Sequence, residues 1–142
     1  IIGFGGVAGH AFIGQARDDN GYFSRIISVQ DLSAVTAACL MVRRSVFDEV
    51  EGLNEEFKVA FNDIDFCLKV RKAGYLVVYN PYAQFYHYES KSRGQEDSAD
   101  KVARFQQETG LFGERWGELL ENGDPYYNPN LTLDKADFSL KE

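Results

Sequence analysis

The sequence predicts a layered α/β domain, and three observations carry that expectation. Stretches of small, β-branched and aromatic residues read as strands. Segments whose apolar residues recur at helical spacing lie between them. The chain of 142 residues, 44% of them apolar, is one domain's worth of sequence with enough apolar side chains for one core. Strands alternating with helices favour packed α/β layers. The strands in view are few for a complete doubly wound enzyme.

Residues 1–34 are glycine-rich, with polar breaks at Arg17-Asp18-Asp19-Asn20, and read as loops with one short strand. Residues 34–43 are small, β-branched and apolar, a buried strand by composition. Ser45 is placed to cap a short helix over 46–50 that Gly52 closes. Asn62, followed three residues on by Asp65, has the spacing of a helix start. Ile64, Cys67, Leu68 and Arg71 then share one face, Lys69, Arg71 and Lys72 load the last turns with positive charge, and Gly74 ends the helix. Residues 75–79 read as a strand, Pro81 breaks it, and 83–88 read as another. A charged loop follows at 89–97. Helical spacing returns at Val102, Phe105 and Thr109 and again from Leu111 to Leu120, two helices that Gly123-Asp124-Pro125 ends. The tail from Tyr126 is irregular, which divides the chain into a domain over 1–125 and a tail over 126–142.

Composition excludes several classes of function. The formal charge is −7, and basic runs are scarce, which argues against nucleic acid and against an anionic membrane surface as partners. No apolar run is long enough to span a bilayer. The two cysteines, Cys39 and Cys67, make neither a disulfide framework nor a four-ligand zinc site, and both fall in apolar stretches, as buried free thiols of a reducing cytosol would. The glycine-broken start without an initiator Met suggests a piece of a longer protein.

Few residues offer chemistry. With Asn62 as cap, Asp63 is the first helical residue, projecting from the helix mouth where the dipole favours negative charge, a fitting place for a base that takes a proton from an alcohol. On the residues alone, plain helix-start chemistry is the simpler explanation. Asp65 lies about 200° further round the axis, so the pair is not built to clamp one ligand, and Asp65 is placed to satisfy the helix N-terminus. His87 ends a strand beside the polar loop, where an imidazole can take a divalent metal and Lys91 and Arg93 can meet phosphate; the alternative is a half-buried strand histidine beside a solvated loop. His10 lies among loop glycines that need no ligand. Trp116, at helical spacing, is a core residue before it is a sugar platform.

Four segments in fixed order point further: residues 35–47, residues 51–57, Phe61-Asn62-Asp63-Ile64-Asp65 through Gly74-Tyr75, and Pro81-Tyr82-Ala83-Gln84-Phe85-Tyr86-His87-Tyr88-Glu89-Ser90. Together with the tail at 124–131, this order resembles the C-terminal half of glycosyltransferase family 2 enzymes with the GT-A fold, most closely bacterial members that build rhamnan and other surface polysaccharides. The resemblance implies a mixed sheet flanked by helices and the acceptor side of a catalytic cleft. It implies that Asp63 is the general base of an inverting transfer, that Thr36, Ala37, Asn62 and Asp65 line the acceptor side, that His87 completes metal coordination, and that Lys91 and Arg93 lie in a donor loop. The family's Glu-Asp pair is here Asn62-Asp63. Its Gly-Gly-Phe-Asp-Glu run is Glu51-Gly52-Leu53-Asn54-Glu55.

The nucleotide-binding half and the family's D-x-D metal motif belong upstream of residue 1. The resemblance therefore implies a sugar-nucleotide donor, a glycan acceptor and Mg²⁺ or Mn²⁺ in the full-length parent, while the fragment alone is expected to be inactive and without the metal. It also implies self-association through the surface that the missing half would cover, and a cytoplasmic location that extends to the inner face of the membrane. A carbohydrate-binding or assembly module, with Tyr82, Tyr86, Tyr88 and Trp116 as a stacking surface, is the rival reading.

Overall fold

Helices set the frame of this protein. A computed structural model describes residues 1–88, 99–135 and 137–142. Among the described residues three α-helices, α1 (Arg44–Glu49), α2 (Asn62–Lys72) and α3 (Ala99–Asn122), accompany one small sheet of β1 (Gln30–Asp31) and β2 (Val78–Tyr79) and short 3₁₀ turns at Phe4–Gly6, Tyr22–Ile27 and Ala37–Cys39. The strands pair antiparallel, Gln30 opposite Tyr79 and Asp31 opposite Val78, and the Leu32 N–H donates to the Val77 carbonyl at 2.9 Å.

The ends of α2 show how local chemistry sets the elements. Its C-terminus closes as expected: Gly74, at φ 91, donates to the Arg71 carbonyl, and the Tyr75 N–H reaches back to Val70. Its N-terminus differs from expectation. Phe61 is the cap, in the left-handed region at φ 64, and its carbonyl takes the Asp65 N–H at 2.8 Å, so Asn62 is already helical and its side chain caps nothing. In α1, likewise, the cap is Arg43 and Ser45 lies inside the first turn.

The expected strand over 34–43 does not form. Thr36 Oγ1 accepts the Ala38 N–H, and the Asp63 carboxylate accepts that of Ala37, so two donors are withdrawn from any ladder and the chain turns in 3₁₀ form. That turn carries Cys39 to the surface, which corrects the expectation of two buried thiols; Cys67 alone is buried. Residues 83–88 join no ladder either, because a turn at Asn80 takes the N–H groups of Tyr82 and Ala83. The two helices expected after residue 100 are one, which runs through Gly110 and kinks at Trp116 (φ −125, ψ 18).

Among the described residues apolar burial falls into three clusters. Val46, Val50, Phe66, Cys67, Val70 and Val77 join α1 to one side of α2. Phe57, Leu68 and Phe112 join α2 to α3 with Val7. Tyr127, Leu131 and Phe138 fold the C-terminal tail against Ile1, Phe12 and Tyr22, with Phe138 stacked on Phe12 and Tyr22 at 4.7 and 5.1 Å. Among the described residues no helix is long and apolar enough to cross a membrane.

Candidate functional site

A cavity of about 510 Å³ opens where the N-terminal loop, the segment 25–36, the mouth of α2 and the tail meet. Asp63, Thr36, Ser33, His10, Asp124 and Tyr126 supply polar atoms to its lining, while Phe12, Val35, Ile64 and Phe138 supply apolar ones.

Asp63 is half-buried, and its carboxylate is held from two sides. Oδ1 accepts the N–H of Ile64 at 2.9 Å and Oδ2 that of Ala37 at 3.0 Å. The first bond is part of the helix start; the second ties α2 to the 3₁₀ turn across 26 residues of sequence. Each oxygen keeps a second lone pair for a ligand. The carboxylate is thus fixed in place with acceptor capacity to spare, the condition a positioned base requires.

Opposite in sequence but on the same cavity stands Asp124. Its carboxylate accepts the Ile2 N–H at 2.9 Å, the Ser33 hydroxyl at 2.5 Å and the Tyr126 N–H at 2.9 Å. Arg71, at the end of α2, donates to Ser33 Oγ at 3.1 Å and lies over the Tyr126 ring at 4.8 Å. The sequence reading gave Asp124 no role beyond a helix stop and the 124–131 tail, and gave Ser33, Tyr79 and Tyr126 no role at a site. The available signal was composition: an Asp-Pro followed by two tyrosines just past the helix.

Asp65 is corrected in role. It neither satisfies the start of α2 nor lines the cavity. It is fully buried against α3, where Oδ1 accepts the Trp116 indole N–H at 2.8 Å and pairs with Arg115 Nε at 2.9 Å, and Oδ2 faces Lys69 Nζ at 4.0 Å. Trp116 is accordingly a half-buried internal donor rather than an exposed platform.

The remaining expected site residues separate. Thr36 and Ala37 meet Asp63, Thr36 as a cavity wall and Ala37 through its N–H. Asn62 stands beside Asp63 on α2 but is absent from the cavity wall. His87 is exposed on the segment after Pro81 and likewise does not contribute to the wall. Lys91 and Arg93 lie outside the described residues. Among the described residues no three His, Cys, Asp or Glu side chains gather as a metal site. Beneath the cavity wall, Cys67 Sγ donates to the Val35 carbonyl at 3.6 Å, and burial pushes its thiol up from the ordinary value.

No known family's sequence profile matches this chain, and no solved structure matches it. Individual proteins do. An uncharacterized protein of Sinorhizobium fredii is 52% identical over 141 residues, 99% of this chain and 15% of that protein. The O-antigen biosynthesis protein RfbC of Myxococcus xanthus is 32% identical over 143 residues, 99% of this chain and 11% of that protein. The N-acetylglucosaminyl-diphospho-decaprenol L-rhamnosyltransferase of Mycobacterium tuberculosis is 36% identical over 78 residues, 55% of this chain and 25% of that protein. The chain therefore spans a quarter or less of these relatives' own lengths. Its sequence is related to segments of proteins named for O-antigen biosynthesis and for rhamnosyl transfer, a glycosyltransferase-like relationship.

Proposed function

We propose that this chain is the acceptor-side segment of an inverting family 2 glycosyltransferase of GT-A fold, with Asp63 as its general base. Asp63 takes the proton of an acceptor hydroxyl; the freed oxygen forms a bond to the donor sugar's anomeric carbon from the face opposite the leaving nucleoside diphosphate. The bond from that carbon to the diphosphate breaks, the diphosphate keeps the electron pair, and the configuration inverts. The single observation that supports this is the placement of the Asp63 carboxylate: on a cavity wall, at a helix mouth, held by two backbone N–H groups with lone pairs left over. The names of the relatives support a polysaccharide or glycolipid glycan as the acceptor class.

The donor nucleotide, a cytoplasmic location at or near the inner membrane face, and self-association belong to the same proposal. Apolar side chains left open to solvent, Phe23, Met41 and Phe85 among them, support the last. Mg²⁺ or Mn²⁺ in the full-length parent belongs to the same proposal.

The test is Asp63→Asn in the full-length protein. Transfer to the acceptor is expected to fall by about 10²- to 10⁴-fold with folding nearly unchanged; a loss smaller than threefold overturns the assignment.

A second reading, a carbohydrate-binding surface, draws on Tyr82, Tyr86 and Tyr88, which are 83%, 72% and 70% exposed. It loses its fourth ring, since Trp116 is turned to Asp65. Glycan binding without nucleotide that vanishes in Tyr82→Ala and survives Asp63→Asn would favour it.

A further inference from the structure

We propose that Glu108, in the middle of α3, is the positioning residue for Asp63; this rests on Asp63 being the base. The two are 45 residues apart in sequence, and the connection runs through the four loop residues 58–61.

Glu108 is a carboxylate only 3% exposed, with Arg104 Nε one turn earlier on the helix 4.0 Å from its Oε1. Oε1 accepts the N–H groups of Lys58 and Val59 at 3.1 and 3.3 Å, and Oε2 accepts that of Ala60 at 2.7 Å. Three consecutive backbone donors thus converge on one buried side chain, a charge-assisted set that fixes the loop's path. The next residue is Phe61, the left-handed cap whose carbonyl receives the first hydrogen bond of α2. Two residues beyond it stands Asp63.

The same face of α3 holds this loop with rings as well. Phe105 and Phe112, three residues before and four after Glu108, pack on the Phe61 ring at 5.3 and 5.7 Å, and Phe112 also meets Phe57 at 6.2 Å. Helical spacing puts 105, 108 and 112 on one stripe. The rings fill the space, while the carboxylate fixes which way the backbone N–H groups point. A left-handed Phe costs conformational energy that an unrestrained loop would shed. Glu108 holds the residues on its N-terminal side so that Phe61 keeps that conformation and the mouth of α2 meets the Ala37 N–H. Without the three bonds the loop relaxes, the first turn of α2 frays, and Asp63 loses its fixed place on the cavity wall.

The test is Glu108→Gln in the full-length protein, read two ways. An amide has one acceptor oxygen and cannot serve all three donors. Amide hydrogen exchange is expected to speed up at residues 58–60 and, at least tenfold, at Ala37, whose N–H bonds to Asp63. Faster exchange at 58–60 with Ala37 unchanged overturns the proposal, whatever the enzyme does.

The kinetic arm uses Asp63→Asn as the reference. Glu108→Gln should lower kcat by about 10- to 10²-fold with little change in either KM, and should add nothing in an Asp63→Asn background. Equal factors in both backgrounds mean that Glu108 acts on folding rather than on Asp63. If Asp63→Asn alone leaves transfer intact, the base assignment fails, and the exchange arm still decides whether Glu108 sets the loop. Glu108→Asp, which keeps the charge and withdraws it by one methylene, carries the same readings should the Gln variant not fold.

Discussion

Two carboxylates sit two residues apart on α2 and live in different worlds. Asp63 faces the cavity, half-buried, bonded only to backbone N–H groups. Asp65 faces α3, fully buried, bonded to an indole and a guanidinium. The turn of about 200° between them separates a group with spare acceptor capacity from one committed to packing. An Asp-x-Asp spacing at a helix start therefore says nothing about shared chemistry. What each acid does is decided by the element across from it, the 34–39 turn in one case and α3 in the other.

The comparison breaks if the two roles can be exchanged. Asp63→Asn should remove most transfer, by the factor given above, while costing at most about 1 kcal/mol of stability, since one of its two backbone bonds can still be accepted by the amide. Asp65→Ala should do the reverse to folding. It leaves the Trp116 N–H and a charged Arg115 facing a buried gap, and loss of one partner from a buried ionic pair costs about 3 kcal/mol or more. Arg115 is 41% exposed at its side chain and can turn to water, which holds the cost near the lower end of that range. Urea unfolding of the two variants, together with transfer assays, gives the two-way table. A destabilised Asp63→Asn beside a neutral Asp65→Ala would invert the assignment.

Much of this contrast was legible in the sequence, and its limits have physical causes. The period of Ile64, Cys67, Leu68 and Arg71 and the Gly74 stop place α2 to within a residue, because those signals act within one or two turns. The resemblance singled out Asp63, and the cavity receives it. What was not legible depends on partners far along the chain. Residues 34–43 have strand composition, yet Ala37 spends its N–H on Asp63, 26 positions away. Asn62 has the chemistry of a cap, yet the loop held by Glu108 delivers Phe61 to the cap position. Asp124 reads as turn punctuation, yet it gathers Ile2, Ser33 and Tyr126. Buried polar side chains that bond distant backbone leave no periodic trace.

The two cysteines sharpen the same contrast, one on the turn that meets Asp63 and one on the inner side of α2. Cys39 is exposed and Cys67 is 1% exposed. A disulfide-exchange reagent should titrate one thiol per native chain and the second only on unfolding. The pH dependence has a definite sign. Burial raises the folded thiol of Cys67 above its unfolded value, so its contribution to stability is full below the ordinary thiol value and is lost as pH rises from there through the raised folded value. The unfolding midpoint should fall as pH rises above the ordinary thiol value, and Cys67→Ala should flatten that fall. A slope unchanged in the variant would show that Cys67 is not what drives it.

The smallest effects belong to α1, which meets α2 at the foot of the Asp65 side. There Lys69 Nζ donates to the Gly52 carbonyl at 2.5 Å. The helix ends in the same two-bond motif as α2, the Glu51 N–H to Asp48 and the Gly52 N–H to Phe47, but the left-handed residue that α2 fills with Gly74 is here Glu51, at φ 60. Gly52 follows at φ 62, and a Cβ on it would stand 2.8 Å from the Phe47 ring. Gly52→Ala should therefore destabilise by more than about 1 kcal/mol. Glu51→Gly should stabilise by about 0.5–1 kcal/mol, because the left-handed penalty exceeds the entropy that glycine adds to the unfolded chain. Neither change touches the cavity, so transfer should stay within twofold of the parent. If Glu51→Gly alters transfer while leaving stability alone, α1 reaches the Asp63 face by a path that the packing of α2 does not provide, and the separation of the two faces fails.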